Sequence, residues 1–420
     1  MRFQTLAEWL AWQETLHPQA IDLGLGRVKS VLERMDLGAE APFTITVGGT
    51  NGKGSCVAML DSIFRAAGYR VGTYTSPHIL KYNERICIDG HPVGDERIIQ
   101  SFDRIDRLRG DNSLSFFEFG TLTALDIFND EPLDVRILEV GLGGRLDAVN
   151  AITADVALVA SIDIDHREWL GDTREKIGAE KAGIFRSGQV AVLGDPDVPC
   201  SVVAIAEQQG AKLSVLGKDF GYEHGGLSWT WFHGTRVLKD LPVPSIPGAH
   251  QFMNASAVLE VLNGSFAKRP VDEKAIRSGL SNVKLSGRFQ FFPGTVPVLL
   301  DVAHNPQAVR MLKAYLLERF SESRIHAVFS VMRDKDIAEI IYEIKDQVDD
   351  WYLAPLKMTR AAQPEDLAKM MRKGGVDQVY SGFNNVMEAV DAAKSSARSG
   401  DLVLVFGSFF LVSEFLANAV

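Results

Sequence analysis

Residues 43–68 constrain this chain most, because an apolar, β-branched run, FTITV, passes straight into GGTNGKGS and then into VAMLDSIFRAAG, which has helical periodicity. A glycine-rich turn between a strand and a helix N-terminus aims several backbone N–H groups at one place, and that suits a phosphate chain. Gly49, Thr50, Asn51, Gly52 and Gly54 would form the cradle. Lys53 would neutralise terminal phosphate charge and Ser55 would offer its hydroxyl to Mg²⁺. The spacing departs from the usual G-x-x-x-x-G-K-S/T rule, since Val47 stands at the first glycine position and Gly54 follows the lysine. The rival reading is a turn that binds nothing; the common register of strand, lysine, serine and helix favours phosphate.

Short apolar runs continue to alternate with helical stretches: RVGTY (70–74), VRILEV (135–140), VALVASI (156–162) and QVAVL (189–193). This alternation predicts a parallel sheet covered by helices. Before it, Leu6, Trp9, Leu10 and Gln13 begin an amphipathic helix that Leu23-Gly24-Leu25-Gly26 ends in a loop. Residues 220–243 switch to period-two alternation with a His-Gly turn, which predicts antiparallel strands added to the first domain. After Gly287 a second alternation starts, with apolar runs at 296–303, 326–331, 351–356, 378–381 and 401–408. The expected fold class is therefore α/β: a P-loop parallel-sheet ATPase domain over 1–285, then a smaller Rossmann-like α/β domain over 286–420. A length of 420 residues accommodates two such cores.

Several classes are disfavoured. The net charge of −10, without clustered Lys and Arg, gives no footprint for nucleic acid. Glu8 and Glu14 interrupt the first apolar stretch, against a signal peptide, and no window approaches the apolar length of a membrane span. Cys56, Cys87 and Cys200 are widely spaced and odd in number, as expected of reduced thiols in a cytoplasmic protein.

A second constellation lies at three expected strand ends: Ser76 in TSPH, Glu139 in EVGLGG and His166 in DIDHREWLG. Strand ends of an open parallel sheet converge on its ligand-binding edge. A hydroxyl, a carboxylate and an imidazole there suit a hard cation with open water positions. Taken singly, each also reads as an ordinary turn, strand-end or satisfied polar residue. GLGG (141–144) reads as a tight turn. Asp172 and Glu175 have capping-box spacing for the helix that carries Lys181, which on composition alone reads as a surface lysine. In DVAHNPQAV (301–309), capping accounts for Asn305 and Pro306. It does not account for Asp301 and His304, which either face a ribose or base or are simply structural.

Taken together, these segments resemble the folylpolyglutamate synthase and dihydrofolate synthase branch of the Mur ligase superfamily. The likeness runs almost end to end, through IDLGLGRV, GTNGKGS, TSPH, FFEFGTLTAL, EVGLGGRLDAVN, Asp165-His166, EKAGIFR, GRFQ, DVAHNP, DKD and the final GSF. It is strongest to the bifunctional bacterial enzymes. The resemblance implies a cytoplasmic, monomeric ligase that uses ATP and two Mg²⁺ ions to join L-glutamate to dihydropteroate and to reduced folates, with no nucleic-acid or membrane partner. It implies Lys53 and Ser55 on the phosphates and first metal, and Ser76, Glu139 and His166 around magnesium. Lys181 would carry CO₂ as a carbamate near the second metal. Asn254 would contact adenine, Arg288, Asp301 and His304 would reach ATP, and Phe117 and Asp147 would hold the pterin. Ser408 is the candidate in the glutamate pocket. The chain departs from the pattern at Gly26, where relatives often have Glu, at Ser330-Val331 in place of Gly-Met, and at Phe410 in place of His.

A carboxylate accepts an amine at neutral pH only after one oxygen becomes a leaving group, so an acyl phosphate is expected, with domain closure, hinged near Gly287, keeping water away. A peptidoglycan-type Mur ligase would need an N-terminal UDP-sugar site for which the short opening helix leaves no room. A synthase with a single function, and a P-loop nucleotide switch that makes no bond, are the remaining rivals.

Overall fold

The computed structural model describes residues 1–19, 21–38 and 41–419. They divide into two compact units: Met1–Ser245 with Gln251–Lys284, and Ile246–His250 with Leu285–Val420.

The first unit is built on eight strands: β1 Phe43–Gly48, β2 Val71–Tyr74, β3 Ile86–Ile88, β4 His91–Pro92, β5 Val135–Glu139, β6 Val156–Val159, β7 Val190–Leu193 and β8 Lys212–Val215. Their order is β4-β3-β2-β5-β1-β6-β7-β8, with β3 and β4 antiparallel at one edge and the rest parallel. Each residue of β1, β2 and β5 is buried, as expected of strands covered on both faces. The helices are α1 Leu6–Leu16, α2 Gly26–Leu32, α3 Lys53–Ala66, α4 Asp95–Arg109, α5 Phe116–Asn129, α6 Arg167–Leu170, α7 Arg174–Ala182, α8 Cys200–Gln209, α9 His250–Ser265 and α10 Glu273–Asn282. Trp9, Phe102, Phe119 and Phe128 anchor a core under α1, α4 and α5, and the edge-to-face and tilted rings of Trp9, Phe102 and Phe119 fix how these helices meet. A separate antiparallel sheet is formed by β9 Phe220–His224, β10 Ser228–His233 and β11 Arg236–Pro242, with a Gly234-Thr235 turn between the paired His233 and Arg236.

Chain order reverses at β1: β5 flanks it on one side and β6 on the other. A crevice at the carboxyl ends of the strands is expected at such a switch point, and the glycine-rich turn leaves β1 there. Register makes the alignment specific, since Val47 pairs with Glu139 on β5 and Gly48 with Val159 on β6.

The second unit holds β12 Gln290–Phe292, β13 Val298–Asp301, β14 Ile325–Phe329, β15 Asp350–Leu353, β16 Val379–Tyr380 and β17 Leu402–Phe406, in the order β12-β13-β17-β14-β15-β16. Among these strands only β12 runs antiparallel to its neighbour. α11 Pro306–Arg319, α12 Ile337–Ile344, α13 Pro364–Lys373 and α14 Val386–Ser396 connect the strands, and α15 Phe409–Ala419 follows the last of them. Phe329, Trp351 and Phe406 pack at its centre. Among the described residues no helix is long and apolar enough to cross a membrane.

Candidate active site

The turn after β1 needs its glycines. Gly49 and Gly52 have φ of 143° and 85°, and a β-carbon on Gly52 would meet Asn254 Oδ1 at 2.5 Å. The turn is bolted to the exit of β6. Thr50 N donates to Ser161 O at 2.7 Å, Thr50 Oγ1 to Asp163 O at 2.9 Å, and Asn51 N to Ser161 Oγ at 3.1 Å. α3 starts at Lys53, whose Nζ donates to Gly49 O at 2.9 Å and Thr50 O at 3.2 Å, so its charge is held across the turn. Ser55 is buried in the first turn of α3 and accepts from Gln251 Nε2 at 3.3 Å, and Gln251 Oε1 in turn accepts from Asn254 Nδ2 at 2.9 Å. A polar chain on one face of α9 therefore backs the turn.

Glu139 ends β5 and His166 lies in the segment that follows β6, so the chain leaving each of the two strands that flank β1 carries one of these residues. Ser76 joins Glu139 directly, its N–H donating to Oε2 at 2.9 Å. His166 sits in the left-handed region at φ 52°, its N–H donating to Asp165 Oδ1 at 2.8 Å while its carbonyl caps α6. Among the described residues no group of three or more His, Cys, Asp and Glu side chains could hold a metal by itself. The donors on offer are a carboxylate, hydroxyls and an imidazole, a set that fits a hard divalent cation completed by water or phosphate oxygens.

Two sequence expectations are corrected around Lys181. The N-cap of α7 is Thr173, whose side chain accepts from Lys176 N at 3.3 Å; Asp172 lies one residue before it and pairs with Lys176 Nζ at 2.8 Å. Lys181 is not a surface lysine: it is 4% exposed. Burial, helped by the Lys53 ammonium and opposed by Asp165 and Asp147, lowers its pKa to about 7.

Phe117, in the first turn of α5, lies against Tyr74 with ring centroids 5.7 Å apart. A β-carbon on Gly141 would meet its ring at 2.6 Å, so Gly141 is bare because the aromatic face occupies that space. Asp147 is buried beside this turn and accepts from Leu142 N at 2.9 Å and Val149 N at 3.0 Å. Burial nevertheless raises its pKa to about 7, against the lowering pull of these N–H groups and of Lys53.

In the second unit Asp301 ends β13 and is buried, accepting from Phe289 N at 3.0 Å and Ala303 N at 2.8 Å. Burial raises its pKa to about 6 while Arg288 pulls it down. Arg288 lies over the Phe409 ring at 5.2 Å, and His304, whose Nδ1 is 2.8 Å from Val302 O, has its ring centroid 5.8 Å from that of Phe409. Arg288, Asp301 and His304 thus share one neighbourhood. Asn305 caps α11 through Ala308 N with Pro306 following, as the sequence predicts. Ser408 Oγ accepts from Leu411 N at 3.1 Å and caps α15.

Sequence reasoning missed Gln251 and Ser161. The recoverable signal for the first was the spacing of Gln251 and Asn254, which puts both on one helical face. Ser161 left none, because its role depends on a partner 110 residues away.

Residues 287–409 match the glutamate ligase domain of Mur ligases. The dihydrofolate synthase/folylpolyglutamate synthase of Escherichia coli is 44% identical over 409 residues, covering 97% of this chain and 94% of that protein. Among solved structures, E. coli FolC in complex with DHPP and ADP superposes with a TM-score of 0.93 at 43% identity, covering 99% of this chain and 97% of that one. A bifunctional folylpolyglutamate synthase/dihydrofolate synthase with Mn, AMPPNP and L-glutamate bound gives a TM-score of 0.92 at 43% identity, covering 99% and 98%. Full-length identity at this level, a shared two-domain fold and the order of the site segments lead to one assignment: this chain belongs to the dihydrofolate synthase/folylpolyglutamate synthase family of Mur ligases.

Proposed function

We propose that the chain ligates L-glutamate to dihydropteroate and to reduced folates, with ATP and a divalent metal ion, through an acyl phosphate. The observation that carries this reading is the Gly49–Ser55 turn, with the Lys53 ammonium drawn across it, leaving the strand that lies between β5 and β6. Relatives with this fold bind ADP with DHPP, and Mn, AMPPNP and L-glutamate.

The backbone N–H groups at the start of α3 and Lys53 hold the phosphates, so charge moving onto the transferred phosphoryl group meets fixed positive ends rather than reorganising water. Ser55, Ser76, Glu139 and His166 would hold Mg²⁺, which when bound neutralises phosphate oxygens. Asn254 is assigned to adenine, Arg288, Asp301 and His304 to the nucleotide, and Ser408 to glutamate. Phe117 offers a stacking face and Asp147 a hydrogen-bonding edge for the pteridine. Once the acceptor carboxylate is phosphorylated, the amine of glutamate attacks the carbonyl carbon, the amide bond forms and phosphate departs.

Lys181 is assigned a carbamate. A lysine near pKa 7 is roughly half neutral at that pH, whereas an ordinary one is neutral in about one molecule per few thousand, and only the neutral amine reacts with CO₂. The product is an anion, whose burial the Lys53 ammonium and, when bound, a metal ion would offset. We place the reaction in the cytoplasm, where the free thiols of Cys56, Cys87 and Cys200 stay reduced.

Product analysis tests the reading. With ATP, Mg²⁺ and glutamate, dihydropteroate and a tetrahydrofolate monoglutamate should each gain one glutamyl mass. Gain by only one acceptor would make the chain a single-function synthase. Nucleotide turnover independent of acceptor and glutamate would favour a nucleotide switch.

A further inference from the structure

Gly24 lies in the connection between α1 and α2 and Gly26 is the first residue of α2, and neither glycine is demanded by the local fold: a β-carbon at either would meet nothing within 4 Å, and neither has positive φ. Two such glycines make a chain segment loose unless side chains tie it down. Arg27 supplies the tie. Its Nη1 donates to Asp22 Oδ2 at 2.6 Å and its Nη2 to Asp22 O at 2.7 Å, closing the segment on itself, while its Nε reaches Glu118 Oε1 at 3.1 Å and Oε2 at 3.2 Å. Asp22 Oδ2 is shared with His17 Nε2 at 3.0 Å, and His17 Nδ1 lies 2.9 Å from Ser113 Oγ. The segment is therefore fastened at both ends to residues 113–118.

Glu118 is the more telling partner. It is buried, and its Oε2 already accepts from Ser115 N at 2.8 Å in the capping box that starts α5. One carboxylate thus fixes the first turn of the helix that presents Phe117 and also receives the guanidinium that shapes the glycine-containing segment. Arg27 is half-buried, and its planar fork satisfies two carboxylates and a carbonyl at once, which an ammonium cannot do.

We propose that Arg27 is a positioning residue for the acceptor: it locks the 21–26 segment to the Phe117 end of α5, so that the acceptor meets a pre-shaped wall instead of ordering a loose one. The proposal rests on the assignment of Phe117 to the pteridine. Pre-organisation of this kind acts on acceptor binding, leaves ATP binding alone and does not touch the chemical step.

The test measures KM for dihydropteroate, KM for ATP and kcat in Arg27→Ala, Arg27→Lys and Phe117→Ala, with thermal unfolding of each. Arg27→Ala should raise the acceptor KM about tenfold, leaving kcat and the ATP KM within about twofold; Arg27→Lys should fall between it and the parent, since Lys can reach one carboxylate only. Should Arg27→Ala not fold, the Arg27→Lys split between the two KM values decides alone. An unchanged acceptor KM in a folded Arg27 variant, or an equal rise in both KM values, overturns the proposal. If Phe117→Ala also leaves the acceptor KM unchanged, the placement of the acceptor has failed; if Phe117→Ala raises it and the Arg27 variants do not, only the fastening role of Arg27 is wrong.

Discussion

Asn254 Oδ1 stands 2.5 Å from the point where a β-carbon on Gly52 would lie, so helix α9 closes directly over the glycine turn that leaves β1. Gly52 is also left-handed, at φ 85°. Gly52→Ala therefore has both a clash and backbone strain to accommodate, the latter about 1–3 kcal/mol. If half of that falls on the nucleotide-binding geometry, affinity for ATP drops roughly two- to twelvefold. Titration calorimetry with a non-hydrolysable ATP analogue checks it; unchanged affinity in a folded variant would detach Gly52 from the nucleotide.

Lys53→Ala is expected to reduce ligation by about 10² to 10³, the usual loss when one preorganised donor at developing charge is removed. Circular dichroism should show an intact fold, because the Lys53 ammonium is tied to carbonyls of its own turn, which β6 holds in place through Thr50 and Asn51. Near-normal turnover would take the turn out of the mechanism.

Lys181 predicts opposite effects on activity and stability. Its pKa of about 7 lies below the ordinary 10.5, so between those values the unfolded chain holds the extra proton and stability rises with pH. In CO₂-free buffer at neutral pH, Lys181→Met should raise Tm and flatten that rise while abolishing most activity. In Lys181→Ala, short carboxylates should restore part of the activity. A Lys181→Ala enzyme with full activity and none added would make Lys181 an ordinary buried lysine.

Asp147 has the reverse linkage. Its folded pKa, raised to about 7, exceeds the ordinary 3.8, so in that window the folded chain holds the extra proton and stability falls as pH rises. Above about pH 7 the carboxylate becomes the main form and can accept pteridine N–H groups. The acceptor KM should accordingly drop as pH passes from about 6 to about 8. Asp147→Asn should raise that KM and remove the step; a step that persists in Asp147→Asn belongs to another group.

Much of this fold was legible because buried parallel strands leave continuous apolar runs, as at 43–47, 135–140 and 401–408. The β3–β4 edge hairpin was not, since Ile86–Ile88 and His91–Pro92 are too short to carry a period. β8 was missed for a related reason: only the last two of its four residues are buried. Within the site, the glycine turn announced itself because strand, turn and helix are contiguous. The burial of Lys181 did not, because it depends on what packs around α7 and not on the sequence of α7 itself. Gln251 acts on Ser55 from 196 residues away, a relation no local pattern encodes.

The most direct test of the central claim is oxygen transfer during a single ligation. Dihydropteroate labelled with ¹⁸O in its carboxylate is incubated with ATP, Mg²⁺ and glutamate, and the released phosphate is analysed by mass spectrometry. Phosphoryl activation of the acceptor predicts one labelled oxygen in phosphate for each amide bond formed. Phosphate released without label, while the amide forms at the same rate, would contradict the acyl phosphate and the roles given to the residues around it.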